Sequence, residues 1–140
     1  MAWDITFRFD TTPEAMRTAR KAIYAMAQGV GASDVDVHDI ELAVGEALGN
    51  AHHHAYHDSA GVLDVTVSFH GTHLTIAVRD YAGKVRSLRA LPETLPTPSE
   101  GRGLYVIRTV MDEVTLGRAA DGPGVVLRMV KRVHWRPAVP

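Results

Sequence analysis

The chain has 140 residues, of which 46% are hydrophobic and 22% are charged, and its formal net charge at pH 7 is −1. This balance predicts one globular domain with its own core, and it excludes both a disordered chain and a strongly basic nucleic-acid-binding protein. With no cysteine for disulfides or zinc, and no apolar run near the roughly 20 residues of a membrane-spanning helix, the sequence predicts a cytoplasmic protein without direct contact to membranes.

The first elements of the chain are a strand and a helix. Residues 3–9 alternate in polarity, which predicts a strand with one buried face. The apolar side chains of that face are Trp3, Ile5, Phe7 and Phe9. In the following segment, Thr12 and Pro13 suit the N-cap and first position of a helix, and Gly29 is where we expect that helix to end.

The remaining segments complete a mixed α/β pattern. A second helix is predicted from Ser33 or Asp34 to about Tyr56, followed by two alternating strands in "VLDVTVSFHGTHLTIAVRD". Residues 81–102 show no period and contain three prolines, after which "GLYVIRTVMD" predicts a short helix. The segments "EVTLGR" and "GVVLRMVKRV" predict a last pair of strands, and the tail "HWRPAVP" is expected to fray. This order predicts a two-layer α/β sandwich with helices on one face of a mixed sheet.

The segment "EALGNAHHHAY" carries an unusual set of polar residues for a helix. Glu46 and Asn50 are four residues apart, so they lie on one face, while the alanines of the segment face the sheet. A carboxylate beside an amide indicates either a solvated polar edge or an oxygen-rich site for Mg²⁺ bound mostly through phosphate oxygens. In the second case the carboxylate could serve as a general base. The segment alone leaves both interpretations open.

The histidines of the same segment raise the alternative of a zinc site. His53 and His57 have the i, i+4 spacing that places two ligands on one helical face. A structural zinc ion needs four ligands, however, and the chain has no cysteine. Adjacent histidines on a helix also point about 100° apart, so the triplet cannot converge on one ion. These points weigh against zinc.

Two further motifs give the chain a resemblance to a known family. The segments "EALGNAHHHAY", "VRDYAGK" and "EGRGLYVIRTVMDEV" occur in this order along the chain, and in order and spacing they resemble the N, G1 and G2 boxes of the GHKL-type (HATPase) ATPases. Within that superfamily the chain is most similar to the anti-sigma-factor serine/threonine kinases of bacteria. The resemblance covers nearly the whole chain. It implies the Bergerat ATP-binding fold in a single domain, residues 1–140, with an ATP lid at about residues 82–100.

The resemblance also implies a role for each matching residue. Glu46 corresponds to the general base, Asn50 to the ligand of the Mg²⁺ that bridges the phosphates, and Asp80 to the acceptor of a hydrogen bond from the adenine amino group. The other implied ATP-binding positions are Gly83, Gly101, Arg102, Gly103 and Leu104. Arg102 is equally well explained as a solvated lid residue.

The G1 box departs from the usual family sequence, Asp-x-Gly-x-Gly. Ala82 and Lys84 stand where the glycines are expected, and Gly83 is out of register. In the last box Val125 follows Gly124, where threonine is frequent, so a hydroxyl is missing. Because glycine permits close backbone approach to a ligand, these changes predict weak nucleotide binding for the family.

The function implied by the resemblance is partner switching in stress-response transcription. The protein would bind a sigma factor and use Mg-ATP to phosphorylate a STAS-domain anti-anti-sigma factor, acting as a homodimer. The outer face of the first helix would be the docking surface, although such charged faces are usually only solvated. Its residues are Arg17, Lys21, Tyr24 and Gln28, with Arg20 at the border. Two alternatives stay open: a non-catalytic partner-switching protein with a degraded G1 box, and a sister kinase that acts on a stressosome scaffold.

Overall fold

The computed structural model describes residues 1–82 and 102–138. In chain order its elements are β1 (Ala2–Asp10), α1 (Pro13–Gly29), α2 (Asp34–Asn50), a π-helical turn (Ala51–Ala55), β2 (Val62–His70), β3 (His73–Asp80), α3 (Arg102–Val110), β4 (Glu113–Arg118) and β5 (Val125–Arg132). The predicted lid lies outside the described residues except for Ala82. None of the helices in the described ranges is long and apolar enough to span a membrane.

The five strands form one sheet in the order β1-β2-β3-β5-β4. The predicted α/β sandwich is confirmed, but the prediction of a mixed sheet was wrong, because all four ladders between the described strands are antiparallel. The reason is the position of β5. Strands β3 and β4 run in the same direction, but the β4–β5 hairpin folds β5 between them, so the described strands form no parallel pair.

The core lies between the helices and one face of the sheet. From the helices, Ile23 and Ile40 are fully buried, and from the sheet every second residue of β2 and β3 turns inward, as predicted. The inward residues of these two strands are Leu63, Val65, Val67, Phe69, Leu74, Ile76 and Val78. Each large apolar side chain buried in this way stabilises the fold by about 1.5–3 kcal/mol. This packing fixes α2 on the sheet.

Helix α1 begins and ends as predicted. The Thr12 side chain accepts a hydrogen bond from the Ala15 main-chain nitrogen at 3.1 Å, and Pro13 is the first helical residue.

The second helix differs from its prediction after Asn50. It starts at Asp34 with Ser33 as N-cap, but it changes to a π-helical turn at Ala51–Ala55 and does not continue regularly to Tyr56. His57 and Asp58 have positive φ values of 50° and 64°, and the Asp58 nitrogen donates to the His52 carbonyl at 3.1 Å. These two residues therefore terminate the helix. The prediction that His57 lies one turn beyond His53 on one helical face was wrong.

Two predictions about the chain ends also need correction. The inward side of β1 is only half covered, and Ile5 on that side is 42% exposed, because β1 is an edge strand. The tail is not frayed up to Arg136: Trp135 forms a β-bridge with Ala32, and the Arg136 nitrogen donates to the Gly31 carbonyl at 2.7 Å.

Candidate nucleotide-binding site

Glu46 and Gly103 bring two of the predicted boxes together. Glu46 is half-buried on α2, and Gly103 lies in the first turn of α3. A Cβ atom at position 103 would lie 2.8 Å from Glu46 Oε2, closer than any relaxed contact. The missing side chain of Gly103 therefore lets a carboxylate lie against the N-terminal turn of a helix, where its negative charge interacts favourably with the helix dipole.

Asn50 lies one turn after Glu46 on the same helix. It is half-buried and is the last residue of α2 before the π-helical turn. Residues at i and i+4 are neighbours on a helix surface, so the amide follows the carboxylate along one face, as predicted. Single π-helical turns are frequent at functional sites.

Asp80 ends β3 and is only 3% exposed. Its Oδ1 accepts hydrogen bonds from the main-chain nitrogens of Ala82 and Val125, each at 3.2 Å. Gly124 has a φ of +104°, and a Cβ there would collide with the Asp80 carbonyl oxygen. Gly124 thus allows the start of β5 to approach the end of β3.

The contribution of Val125 was missed by the sequence analysis, which considered only its missing hydroxyl. Its main-chain N–H, not its side chain, holds Asp80. The available signal was the sequence Gly122-Pro123-Gly124, which indicates an unusual backbone immediately before a strand.

Tyr56 is a second residue that the sequence analysis did not single out. Its hydroxyl accepts a hydrogen bond from the Tyr81 nitrogen at 2.7 Å and donates one to the Val62 carbonyl at 2.6 Å. A Cβ at Gly61 would collide with the Tyr56 ring, so this glycine makes room for it. Tyr56 therefore ties the end of the histidine segment to the residue that follows Asp80.

Tyr81 is held by side chains on the face of the sheet opposite the described helices. Its ring is within cation–π distance of two guanidinium groups, with the Arg8 and Arg79 Cζ atoms 5.1 Å and 4.1 Å from the ring centroid. Its hydroxyl donates a hydrogen bond to Asp64, which also accepts from Arg8 at 2.7 Å. The Arg8 hydrogen bond lowers the pKa of the Asp64 carboxyl, the Tyr81 hydrogen bond adds to this, and burial opposes it. The main chain of Tyr81 is thus held by Tyr56, and its side chain is held by Asp64 and the two arginines. Both sets of contacts fix the chain one residue before the predicted lid.

The remaining predicted site residues lie at the start of α3 or outside the described ranges. Arg102 is exposed and starts α3. The Leu104 side chain is 2% exposed and belongs to the core, so only its main chain is available to a ligand. Gly83 and Gly101 lie outside the described residues.

The histidines pair with other side chains. His52 Nδ1 lies 3.0 Å from Thr11 Oγ1, and His53 Nδ1 lies 3.1 Å from an Asp58 oxygen. Within residues 1–82 and 102–138 there is no group of three or more histidine, cysteine, aspartate or glutamate side chains placed to hold a metal ion.

The proposed partner face of α1 meets α2 through Arg20. Arg17, Lys21 and Gln28 are exposed, and Tyr24 is half-buried against the core. A Cβ at Gly45 would lie 3.5 Å from Arg20 Cδ, so the arginine side chain lies across α2 at this glycine. A groove of about 290 Å³ adjoins this crossing. It is lined by Arg20, His38, Glu41, Leu42, Gly45 and Glu46.

The donor groups of the site suit a magnesium nucleotide. An amide oxygen is a ligand that Mg²⁺ accepts together with phosphate oxygens; Asn50 supplies one, and the Glu46 carboxylate lies one turn away on the same helical face. The first turn of α3 presents main-chain N–H groups to anions, with no Cβ at Gly103. A buried carboxylate such as Asp80 is an acceptor suited to an exocyclic amine.

Residues 9–131 match the family described as "Histidine kinase-like ATPase domain". The chain belongs to this family. It is 34% identical over 137 residues to a protein named serine-protein kinase RsbW from Bacillus licheniformis, which covers 91% of this chain and 84% of that protein. It is 28% identical over 120 residues to an anti-sigma F factor from Thermoanaerobacter sp. (strain X514), covering 82% of this chain and 83% of that protein. The predicted kinase family and its enzyme class, a protein serine kinase, are confirmed at the level of the family.

Solved structures of other proteins share the fold. The RsbU and RsbW domains of a Mycobacterium tuberculosis protein match with a TM-score of 0.65 and 20% identity, covering 98% of this chain and 34% of that one. The SiaB–SiaC complex from Pseudomonas aeruginosa contains a chain that matches with a TM-score of 0.67 and 18% identity, covering 90% and 89%. At these identities the likeness concerns the fold, and it confirms the predicted ATPase architecture.

Proposed function

We propose that the protein is an anti-sigma factor and an ATP-dependent serine/threonine kinase. It binds a sigma factor, and with Mg-ATP it phosphorylates a STAS-domain anti-anti-sigma factor. The observation that carries this proposal is the approach of the Glu46 carboxylate to Gly103 in the first turn of α3. The names of the relatives, serine-protein kinase RsbW and anti-sigma F factor, support the choice of partners.

Nucleotide recognition is assigned to Asp80 and the start of α3. The two main-chain nitrogens that bind Asp80 Oδ1 orient the carboxylate, which then accepts a hydrogen bond from the adenine amino group. The main-chain N–H groups at the start of α3 donate to the phosphates. Arg102 is the first residue of this helix, and its guanidinium neutralises part of the phosphate charge.

Phosphoryl transfer needs positioning and charge neutralisation more than covalent catalysis by the protein. When bound, Mg²⁺ offsets the phosphate charge and polarises the transferred group. Asn50 supplies an amide oxygen to hold it. Glu46 orients the serine or threonine hydroxyl of the partner and accepts its proton as the hydroxyl oxygen attacks the γ-phosphorus, so the bond to the β-phosphate oxygen breaks and ADP leaves.

Partner switching follows from this reaction. The unphosphorylated STAS protein competes with the sigma factor for the kinase, and phosphorylation makes it dissociate. The α1 face around Arg20 is the proposed docking surface, because it lies beside the groove that Glu46 lines. A partner bound there would be near the catalytic carboxylate.

One observation favours a second function, a non-catalytic partner-switching protein. Ala82 and Lys84 replace the G1 glycines, and this change weakens the expected nucleotide affinity. The remaining alternative is that the protein is a sister kinase that acts on a stressosome scaffold. That function would use the same ATP site and would differ only in the partner proteins.

Radiolabel transfer tests the proposal. The full chain is incubated with γ-labelled ATP, Mg²⁺ and purified STAS proteins, and we expect label on a serine or threonine of one of them. The Glu46→Gln variant is the matched negative control. Nucleotide binding without transfer would favour the non-catalytic function. Transfer to a scaffold protein without co-purification of a sigma factor would favour the sister kinase.

A further inference from the structure

Arg79 and Asp80 are the last two residues of β3, and their side chains lie on opposite faces of the sheet. Asp80 is buried on the helix side, whereas the Arg79 side chain lies on the other face and is 16% exposed. Successive side chains of a strand point to opposite faces, so the strand itself produces this arrangement. Both side chains nevertheless bind residues 121–125, where β4 connects to β5. We call these five residues the turn segment.

Arg79 binds the turn segment through two of its nitrogens. Nη1 donates to Asp121 Oδ1 at 2.6 Å, and Nη2 donates to the Pro123 carbonyl at 3.2 Å. The Asp121 side chain is 76% exposed, so the ion pair by itself contributes little to stability. The second bond has a different consequence, because it fixes a main-chain group two residues before Val125.

The guanidinium of Arg79 is fixed in turn by Tyr81. Its Cζ atom lies 4.1 Å from the centroid of the Tyr81 ring, whose hydroxyl donates a hydrogen bond to Asp64. Arg79 Nε is buried and has no hydrogen-bond partner among the described residues. A buried N–H without a partner costs stability, so stability alone does not explain an arginine at this position.

The turn segment fixes the orientation of the Asp80 carboxylate. Asp80 Oδ1 accepts hydrogen bonds from the main-chain nitrogens of Ala82 and Val125. Ala82 is near Asp80 in the chain, whereas Val125 reaches it only because the turn segment brings the start of β5 to the end of β3. Arg79 therefore acts on the carboxylate from the opposite face of the sheet, through the main chain from Pro123 to Val125.

We propose that Arg79 is a positioning residue for adenine recognition. It holds the turn segment so that Val125 orients the Asp80 carboxylate toward the exocyclic amine of adenine. This inference rests on the proposed function, in which Asp80 accepts that hydrogen bond. Guanine carries a carbonyl oxygen where adenine carries the amine, so an oriented carboxylate disfavours guanine. Arg79 thus affects the choice between ATP and GTP more than it affects binding of the phosphates.

Replacing Arg79 by methionine tests this role. The variant keeps an unbranched side chain beside the Tyr81 ring and loses both hydrogen bonds to the turn segment. Calorimetry with Mg-ATP and Mg-GTP should show that the ratio of the two affinities falls roughly three- to tenfold, the effect expected for one hydrogen bond. Arg128→Met is the matched control, because Arg128 is exposed on β5 on the same face of the sheet, and it should leave this ratio unchanged.

Hydrogen exchange at the Val125 amide provides a measurement that needs no nucleotide. In Arg79→Met, NMR should show a loss of protection at this amide, while amides in the middle of β5 keep theirs. Asp121→Ala removes only the ion pair at an exposed position, so this variant should fold. It should change the exchange rate and the affinity ratio in the same direction as Arg79→Met, but less.

The possible outcomes distinguish this inference from the proposed function. An unchanged ratio of ATP to GTP affinity in Arg79→Met, or unchanged protection of the Val125 amide, would overturn the role of Arg79 alone. If Arg79→Met does not fold, Asp121→Ala decides, and values equal to those of the unmodified chain would overturn the role. An unmodified chain that binds neither nucleotide would contradict the proposed function and, with it, any role in adenine recognition.

Discussion

The Tyr56 hydroxyl accepts a hydrogen bond from the Tyr81 main-chain nitrogen at 2.7 Å. This bond joins the end of the helical segment that carries Glu46 and Asn50 to the residue after Asp80. The same hydroxyl donates to the Val62 carbonyl at the start of β2. A single phenol therefore connects three segments beside the candidate site, and it is a side chain that the box motifs do not assign to ATP.

Replacing Tyr56 by phenylalanine should weaken both the fold and nucleotide binding. The ring is kept, but a donor and an acceptor lose their partner, which costs about 1–3 kcal/mol of unfolding free energy. Urea unfolding measures this loss, and calorimetry with Mg-ATP measures the affinity. Tyr24→Phe on α1 is the control. Equal behaviour of the two variants would show that the Tyr56 hydroxyl has no special role.

The elements with strong local signals could be predicted from sequence. The alternation in β2 and β3 and the Thr12 N-cap both depend on residues that are neighbours in the chain. The proximity of Glu46 to Gly103 followed from recognising two motifs that occur together, since neither motif alone specifies a distance between helices.

The missed features depend on contacts distant in sequence or on the main chain. Apolar periodicity continues smoothly past Asn50, so it does not reveal the π-helical turn or the positive φ values of His57 and Asp58. The hold of Val125 on Asp80 uses an N–H that every non-proline residue has. The sheet direction depends on where β5 inserts, which no local pattern specifies.

Asp64 makes the stability of the protein sensitive to acid. The Arg8 hydrogen bond lowers the pKa of the Asp64 carboxyl in the folded state. The ionised carboxylate therefore contributes fully to the free energy of unfolding above its unfolded pKa of about 3.9. This contribution is lost as the pH falls through the lower pKa of the folded state. Urea unfolding between about pH 5 and pH 2 should therefore be less pH-dependent in Asp64→Asn. Tyr81→Phe removes the tyrosine hydrogen bond and leaves those from Arg8, so the pH dependence of its stability should be intermediate. Identical pH profiles for all three proteins would contradict this role of Asp64.

Gly103→Ala should separate stability from activity. A Cβ at this position meets only the tip of the Glu46 side chain, which can move, and alanine favours a helix over glycine by about 1 kcal/mol. We expect unchanged or higher stability, with phosphoryl transfer reduced roughly 10- to 100-fold because the carboxylate is displaced.

A double-mutant cycle tests this explanation. If Gly103→Ala acts through Glu46, it should have little further effect on transfer in the Glu46→Gln background. Gly124→Ala is the contrasting variant, because its Cβ would collide with main-chain atoms of Asp80 at a φ of +104°, so it should be clearly less stable. If the effects of Gly103→Ala and Glu46→Gln on phosphoryl transfer are additive, Gly103 does not act through the Glu46 carboxylate.

Glu46 and Asn50 lie on one helical face but are assigned different tasks, so their variants should fail differently. Glu46→Gln keeps the size of the side chain and removes the base, so Mg-ATP should still bind while phosphorylation falls by roughly 10²- to 10⁴-fold. Asn50→Ala removes a magnesium ligand, so nucleotide binding and phosphorylation should fall together. Calorimetry and radiolabel transfer measure the two quantities.

The same pair of variants also distinguishes catalysis from partner binding. Because the proposed docking surface is on α1, Glu46→Gln should still bind the sigma factor and become an inhibitor that its antagonist cannot release by being phosphorylated. Glu113→Gln, at an exposed position on β4 away from this groove, is the control and should phosphorylate normally. Normal transfer by Glu46→Gln would show that another group is the base. Loss of cooperative unfolding in both the Glu46 and Asn50 variants would mean instead that this polar face serves the fold.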